Sequence, residues 1–281
     1  MAQQQHQHPT PIWTPPPERA AASRMAAFAT AAARVAGHDF PDYGALHRWS
    51  VLDPVACWEL LWSFLELRAS VPYTRVLEHP ERMPGAVWFP GARLNFAEHL
   101  LRHAATRADE TAIVFRGEDG AREAMTVGEL WRQVGAVAAW LRSVGVGPGD
   151  RVAAILPNRP EAIVGMLATA SLGAVWSSAS PDFGVDGVVD RFGQIEPKVL
   201  IGVDGYRYAG KRIDVRERLA AIAARLPTLA QLVVVPWRFP GDPGPLGDAA
   251  VPWPELIAAH RGAEPRFAQL PFDHPLYILF S

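Results

Sequence analysis

The chain has 281 residues, of which 49% are apolar and 20% are charged, a balance that predicts a globular protein with one large domain or two smaller ones. Its formal net charge of −2 provides no general attraction to nucleic acid or to an anionic membrane. No apolar run approaches the roughly 18 residues that span a bilayer, and the amino terminus lacks the basic and apolar regions of a secretory signal. We therefore expect a cytoplasmic protein without nucleic-acid or membrane partners.

Residues 1–39 are expected to form a leader followed by a first helix. The leader, residues 1–17, is rich in Gln, His and Pro, a composition that predicts disorder because it cannot form a packed core. His6 and His8 could bind a metal weakly, but a solvated tail is the favoured interpretation. Apolar periodicity then predicts a helix over 18–35 that ends near Gly37.

Residues 40–100 are expected to form a small, separate cap. Asp53 is a good N-cap, and Pro54 occupies the first helical position, where its missing N–H costs nothing. The apolar stripe of this second helix consists of Trp58, Leu61, Trp62 and Leu65. Cys57, the only cysteine, excludes an internal disulfide, and its apolar surroundings favour a core residue over a nucleophile. A proline-punctuated connector over 72–95 leads into a third helix.

From residue 101 onward we expect an α/β domain. Strands are predicted at 111–115, 151–156, 174–177, 198–202 and 231–235. The first intervening helix begins with the capping box Thr126–Glu129 and has the apolar stripe Leu130, Val134, Val137, Ala138 and Leu141. Later helices are expected to begin at Asn158, Asp182, Val215 and Trp253. This alternation predicts a mostly parallel sheet that is flanked by helices on both faces.

The last residues, Leu276–Ser281, begin with five consecutive apolar side chains. Such a run predicts a strand that is buried on both faces and therefore has neighbours. In parallel sheets, ligands bind beyond the carboxyl ends of the strands, usually in the following loop. We therefore expect a C-terminally truncated part of a larger enzyme, which alone is inactive.

Known catalytic motifs are missing from this sequence. Neither the dinucleotide fingerprint G-x-G-x-x-G nor the phosphate-binding G-x-x-x-x-G-K-[ST] follows a predicted strand. One basic cluster, Arg207, Lys211 and Arg212, directly follows the strand at 198–202. Its position and two nearby glycines suit anion binding, although spacing alone favours an ordinary solvated loop.

Longer segments of the chain resemble known enzymes. The run GVGPGDRVAAILPNRPEAIVGMLATASLGAVWSSASPDFG resembles the adenylate-forming superfamily of acyl-CoA synthetases and luciferases. Four more segments are similar to acetoacetyl-CoA synthetases and keep their order: DYGALHRWSV, WFPGARLNFAEHLL, SPDFGVDGVVDRFGQIEPKVLIGVDGYRYAGK and HPLYILFS. The resemblance covers about residues 40–281. It implies an acetyl-CoA synthetase-like cap over 40–100 and, over 101–281, the N-terminal half of an AMP-dependent ligase domain, cut before the phosphate loop.

The resemblance also implies which ligands the chain contacts. In such enzymes the last strand enters a loop, S-S-G-T-T-G, that cradles the ATP phosphates, and only its first residue, Ser281, is present. Catalytic and Mg²⁺-linked residues lie downstream, so none is assigned. Coenzyme A contacts are implied for the small-residue segment containing Ser178 and for the basic loop. There Lys211 matches one of two phosphate-binding arginines and Tyr208 replaces the other, with Arg207 and Arg212 as possible substitutes.

The implied activity is that of an ATP-dependent acid–thiol ligase. It would convert acetoacetate, ATP and coenzyme A to acetoacetyl-CoA, AMP and pyrophosphate through acetoacetyl-AMP, with Mg²⁺. Another short-chain synthetase, for acetate or propionate, is an alternative because the acyl pocket lies downstream. A non-catalytic binding or assembly module that retains half the fold is a second alternative. A nicotinamide oxidoreductase is disfavoured by the missing glycine fingerprint.

Overall fold

The computed structural model describes residues 12–242 and 244–280. Its helices are α1 (Pro17–Ala21), α2 (Arg24–Ala36), α3 (Tyr43–Leu52), α4 (Pro54–Phe64), α5 (Phe96–Leu101), α6 (Val127–Ser143), α7 (Pro160–Ser171), α8 (Val185–Ile195), α9 (Arg216–Ala224) and α10 (Trp253–Ala259). Its strands are β1 (Leu77–Glu78), β2 (Val87–Trp88), β3 (Arg93–Leu94), β4 (Thr111–Arg116), β5 (Arg122–Thr126), β6 (Arg151–Ile155), β7 (Val175–Ala179), β8 (Val199–Val203), β9 (Gly205–Tyr208), β10 (Lys211–Asp214), β11 (Gln231–Val235), β12 (Ala250–Pro252) and β13 (Leu270–Pro271). None of the helices in these two ranges combines the length and apolar character needed to cross a bilayer.

The predicted first helix is two helices, so that prediction is wrong in its detail. Ser23 interrupts the run because its hydroxyl accepts a hydrogen bond from the Ala26 N–H at 3.1 Å, which caps α2. The predicted end is confirmed, since Gly37 adopts a left-handed conformation with φ of 75° directly after α2.

The range 40–100 contains one helix more than the sequence indicated. Asp42 caps α3, and Asp53 caps α4 as predicted, by accepting from the Ala56 N–H at 3.1 Å. Cys57 is 5% exposed and packs with α2 and α3, which confirms its assignment to the core. The predicted stripe is only partly buried, because Trp58 and Leu65 are 44% and 41% exposed. The unpredicted helix α3 covers the Cys57 side of α4 instead.

The large domain is built on a parallel sheet, which confirms the predicted α/β class. Its strand order is β12-β11-β8-β6-β7, and every pairing in it is parallel. Helices α6, α7 and α10 pack against one face, and α8 and α9 pack against the other. Side chains from successive positions of β6 alternate between these two cores, as strand geometry requires.

The predicted stripe of α6 is confirmed, because all five of its side chains are buried. Thr126 caps the helix by accepting from the Glu129 N–H at 3.1 Å. The Glu129 carboxylate accepts from Gln133 rather than completing a capping box. The preceding strand β5 was not predicted; it pairs antiparallel with β4.

Two predicted helix starts are wrong. Helix α7 begins at Pro160, with Arg159 rather than Asn158 at the N-cap, because a proline at the first helical position disfavours helical backbone at the residue before it. Helix α8 begins at Val185. Asp182 stays in the preceding loop, where its carboxylate accepts from the Ser180 hydroxyl at 3.0 Å.

The carboxyl-terminal segment is not the doubly buried strand that its sequence predicts. A single parallel bridge joins Tyr277 to Trp176 at the β7 edge of the sheet, with hydrogen bonds from Trp176 N–H to Leu276 and from Ile278 N–H to Trp176. Leu276 and Tyr277 pack against one core and Ile278 and Phe280 against the other, but all four are only partly buried. Leu279 is 82% exposed.

A buried side chain, Asn95, joins the start of α5 to the end of α7 and to the segment before β13. Its amide group donates to three carbonyls, those of Ala170, Ser171 and Ala268, at 2.9–3.3 Å. Its oxygen accepts from the first N–H groups of α5, so every hydrogen-bonding position of the amide is used.

Replacing Asn95 by alanine is expected to lower the free energy of unfolding of the full-length protein by about 2–3 kcal/mol, because it removes a helix cap and leaves buried carbonyls without donors. Chemical denaturation measures the loss. The matched control is Asn158→Ala, at an exposed asparagine, which we expect to change stability by less than about 0.5 kcal/mol. Equal losses in the two variants would contradict the assignment.

Candidate functional site

The candidate site lies at the carboxyl edge of the parallel sheet, between β6 and β8. The chain leaves β6 toward α7 on one face and proceeds from β8 toward α9 on the other face. Such a change of direction opens a crevice outside the strand ends, where ligands bind in open α/β sheets. The segment after β8 begins at Asp204, which is 2% exposed, and carries the predicted basic cluster.

The basic cluster lies on a β-hairpin, and the sequence-based prediction of a loop is therefore wrong. Strands β9 and β10 pair antiparallel over four residues each. Ala209 and Gly210, with φ of 50° and 77°, form the two-residue turn between them, and two successive positive φ values are typical of a type I′ hairpin. Because these short strands mix polar and apolar residues, their sequences gave no strand signal.

The hairpin register separates the three predicted cations. Lys211 lies opposite Tyr208, and Arg212 lies opposite Arg207. Residues directly opposite each other share a face, and successive residues alternate between faces. Lys211 and Tyr208 therefore share one face of the hairpin, while the two arginines lie on the other, so the cluster does not converge on one point.

The arginines are engaged within the protein, whereas Lys211 is exposed. Arg207 donates to the Gly210 carbonyl at 3.3 Å. Arg212 donates to the Arg238 carbonyl and stacks on Phe239 at 3.8 Å from the ring centroid. In the described part of the chain, Lys211 has neither an ion pair nor a side-chain hydrogen bond. Its ammonium group is therefore the most available cation of the cluster.

The loop that follows the small-residue segment of β7 lies beside the same hairpin. Ser177 is fully buried and donates to the Ile278 carbonyl at 2.8 Å, whereas Ser178 is exposed. Farther along, burial and the neighbouring Asp182 carboxylate raise the pKa of Tyr206 above its ordinary value. Tyr206 lies two positions from Tyr208, on the hairpin face that carries Lys211, so the loop after β7 borders that face.

Asp119, which sequence analysis did not single out, contacts this region from the turn between β4 and β5. Its carboxylate lies 2.7 Å from Arg238 and 3.9 Å from Arg207. The hydrogen bond from Arg238 is the main reason that the pKa of Asp119 is held below its ordinary value. No sequence signal indicates these contacts, because the partners are about 90 and 120 positions away.

Other predicted sites are not placed by the structure. Ser281, His6 and His8 lie outside the described residues. Within 12–242 and 244–280, no group of three or more His, Cys, Asp or Glu side chains is arranged to hold a metal ion.

Comparison with known proteins identifies the family. A model of AMP-binding enzymes matches residues 100–281. The chain belongs to the AMP-binding enzyme family. A second model, of the acetyl-coenzyme A synthetase N-terminus, matches residues 43–100, immediately before the AMP-binding region.

Individual relatives confirm the narrower resemblance to acetoacetyl-CoA synthetases. The acetoacetyl-coenzyme A synthetase of Rhizobium meliloti (strain 1021) is 44% identical over 274 residues, which cover 96% of this chain and 41% of the relative. The solved structure of the acetoacetyl-CoA synthetase from Streptomyces lividans has a TM-score of 0.89 at 47% identity and covers 97% of this chain and 41% of that chain. A malonamoyl-CoA synthetase of Penicillium aethiopicum is 35% identical over 269 residues, covering 92% and 37%. The chain thus spans about two fifths of the length of these AMP-binding relatives.

Proposed function

We propose that this chain is the amino-terminal part of an ATP-dependent acid–thiol ligase that converts acetoacetate, ATP and coenzyme A to acetoacetyl-CoA, AMP and pyrophosphate. The observation that carries the proposal is the 47% identity to the Streptomyces lividans acetoacetyl-CoA synthetase over 97% of the chain at a TM-score of 0.89. We propose further that the 281 residues alone do not catalyse the reaction, because they span only 41% of the length of the relatives that they match.

The role that we propose for the described residues is to bind coenzyme A. Lys211 would hold a phosphate of the coenzyme by a charge-assisted hydrogen bond, and the exposed Ser178 hydroxyl would contact another polar group. Arg207 and Arg212 would add positive potential from the opposite hairpin face. Ser281 would begin the loop around the ATP phosphates. Mg²⁺, when bound with ATP, would neutralise developing charge at phosphorus, and its ligands are not assigned to this chain.

We also propose the organisation of the chain and the place where it acts. Residues 1–39 would precede an acetyl-CoA synthetase-like cap at 40–100, and 101–281 would form part of the ligase domain. The junction of the two matched family models at residue 100 supports this division. The cytoplasm, where ATP and coenzyme A would serve as substrates, is the proposed location.

Another acyl group is the main alternative. The malonamoyl-CoA synthetase relative is named for a different acyl group, although it matches 92% of this chain. Pyrophosphate exchange by the full-length protein, measured with acetoacetate, acetate, propionate and malonamate separately, decides the matter. We expect exchange to depend on acetoacetate; preference for another acid would overturn the acyl assignment, and exchange with none would overturn the ligase.

Replacing Lys211 by alanine in the full-length enzyme is expected to raise the KM for coenzyme A by roughly 5- to 30-fold, because an exposed lysine–phosphate contact contributes about 1–2 kcal/mol. Adenylation, measured as pyrophosphate exchange without coenzyme A, should stay within about twofold of the unchanged enzyme, since it precedes thioester formation.

Arg261→Ala is the matched control, because Arg261 is an exposed cation in the loop after α10. We expect it to leave both kinetic constants unchanged. If Lys211→Ala lowers exchange as much as thioester formation, Lys211 supports the nucleotide site or the fold, and the coenzyme A assignment fails.

A further inference from the structure

The β9–β10 hairpin stands apart from the five-stranded sheet as a separate two-stranded ladder. An isolated two-stranded hairpin is marginally stable in water. In this hairpin two like charges, Arg207 and Arg212, also lie directly opposite each other, an arrangement that destabilises strand pairing. The position of Lys211 must therefore be fixed by contacts from outside the hairpin.

One set of outside contacts comes from the loop after β11. The Asp204 carboxylate, at the base of the hairpin, accepts hydrogen bonds from the N–H groups of Arg238 and Phe239 at 2.6–3.1 Å. Arg212 stacks on Phe239 from the second strand. At Gly205 a Cβ atom would lie 2.9 Å from the Phe239 ring, so the strand and the loop approach as closely as a glycine allows.

Asp119 supplies the second set of contacts and joins the hairpin to that loop. Its side chain is 13% exposed and accepts from Arg238, which is 14% exposed, at 2.7 Å, while Arg207 lies 3.9 Å from the same oxygen. The Arg238 guanidinium also stacks on Trp237 at 3.6 Å. Two of its nitrogens, Nε and Nη2, have no hydrogen-bond partner among the described residues. In that part of the chain Asp119 is the only carboxylate paired with Arg238.

We propose that Asp119 is a positioning residue for coenzyme A binding, because it fixes the hairpin that carries Lys211. One carboxylate offsets the repulsion between Arg207 and Arg212 and ties Arg207 to the Arg238 loop on which the hairpin rests. Without this charge the hairpin occupies additional orientations. The apparent affinity for coenzyme A then falls in proportion to the fraction of molecules in which Lys211 is in place. This proposal rests on the coenzyme A role of Lys211.

The test compares two variants of the full-length enzyme that differ by one position in the same turn. Asp119→Asn removes the charge and keeps the oxygen that accepts from the Ala121 N–H. Glu118→Gln removes an exposed charge that has no ion pair in the described part of the chain. We expect Asp119→Asn to raise the KM for coenzyme A by about 3- to 10-fold, because Lys211 is in place in a smaller fraction of the molecules. Pyrophosphate exchange should stay unchanged. Glu118→Gln should change neither constant.

Two further measurements separate positioning from a general structural effect. Hydrogen exchange should accelerate in residues 205–214 of Asp119→Asn but not in β6, β8 or β11; faster exchange throughout the sheet would overturn the proposal. In a double-mutant cycle, Asp119→Asn should have little additional effect on the KM once Lys211 is alanine. Additive effects would also overturn the proposal while leaving the Lys211 assignment intact. If Lys211→Ala alone leaves the KM unchanged, the proposed coenzyme A role itself fails.

Discussion

Replacing Gly135 by alanine is expected to destabilise the full-length protein by about 3 kcal/mol or more, at the upper end of the cost of overpacking a core. Gly135 lies on the buried side of α6, where this helix touches the segment after α10. An added Cβ atom would lie 2.1 Å from the Ala263 carbonyl oxygen and 3.0 Å from Pro265. The first of these atoms belongs to the backbone, so the overlap is relieved only if the helix and the segment separate.

Helix propensity acts in the opposite direction and is too small to compensate. Alanine is favoured over glycine by about 1 kcal/mol in a helix interior, and we expect the steric overlap to outweigh this gain. Gly193→Ala is the matched control, because Gly193 is an exposed helical glycine with no atom within 4 Å of an added Cβ.

Thermal denaturation of the two variants measures the difference. We expect a lower midpoint for Gly135→Ala and, for Gly193→Ala, a midpoint equal to or above that of the unchanged protein, since only the propensity term operates there. A Gly135→Ala protein as stable as Gly193→Ala would show that the α6 contact with residues 263–265 is not close-packed in solution.

The core of the parallel sheet could be predicted from the sequence. Strand β11 was predicted with its observed bounds, and β6 and β8 within one residue at their ends, because each is a continuous apolar run flanked by turn residues. The buried stripe of α6 was predicted because its period of 3.6 residues reports one face of a helix. Both signals are local, so they can be recognised without knowledge of the tertiary structure.

Short polar strands could not be predicted from the same signals. Strands β5, β9 and β10 carry no apolar alternation that separates them from loops. The turn between β9 and β10, Ala209-Gly210, also lacks the Asn-Gly or Asp-Gly pair that marks a type I′ hairpin. The hairpin is fixed instead by cross-strand pairing and by the loop after β11. Lys211 could therefore be placed beyond a strand end, but its separation from Arg207 and Arg212 required the register.

The wrong start of α7 has a different, local cause. Asn158 has good intrinsic capping propensity, and a sequence-based choice between Asn158 and Arg159 favours the asparagine. The structure places Arg159 at the N-cap because Pro160 occupies the first helical position, and a proline disfavours helical backbone at the residue before it. This proline is visible in the sequence, so the wrong residue resulted from giving capping propensity more weight than the proline.

Replacing Arg159 by alanine is the second change from which we expect a large effect, a loss of about 3–5 kcal/mol in the free energy of unfolding, which is the usual cost of breaking a buried ion pair from one side. The guanidinium is 7% exposed. It binds Glu123 and Glu161 through both oxygens of each carboxylate at 2.9–3.1 Å. It also lies over the rings of Phe115 and Trp237, 5.2 and 4.5 Å from their centroids.

The size of the effect depends on what is left behind. Truncation removes one cation, leaves the Glu161 carboxylate, which is 15% exposed, without its partner, and opens a void beside the edge-to-face rings of Phe115 and Trp237. An exposed ion pair would contribute only about 0–1 kcal/mol, so burial makes this contact important. Arg107→Ala is the matched control, because Arg107 pairs with Glu110 on the surface, where both side chains are 54% exposed.

A charge-neutral replacement identifies the cause of the loss. If the unpaired carboxylates are responsible, combining Arg159→Met with Glu123→Gln and Glu161→Gln should recover much of the stability, because replacing a whole buried ionic network by uncharged groups is often nearly neutral. If the triple variant is no more stable than Arg159→Ala, the packing of the guanidinium over the Phe115 and Trp237 rings is the dominant contribution. Denaturation of the full-length protein at neutral pH distinguishes the two outcomes. A loss in Arg159→Ala no larger than in Arg107→Ala would mean that the Arg159 network is hydrated in solution, and the prediction would be wrong.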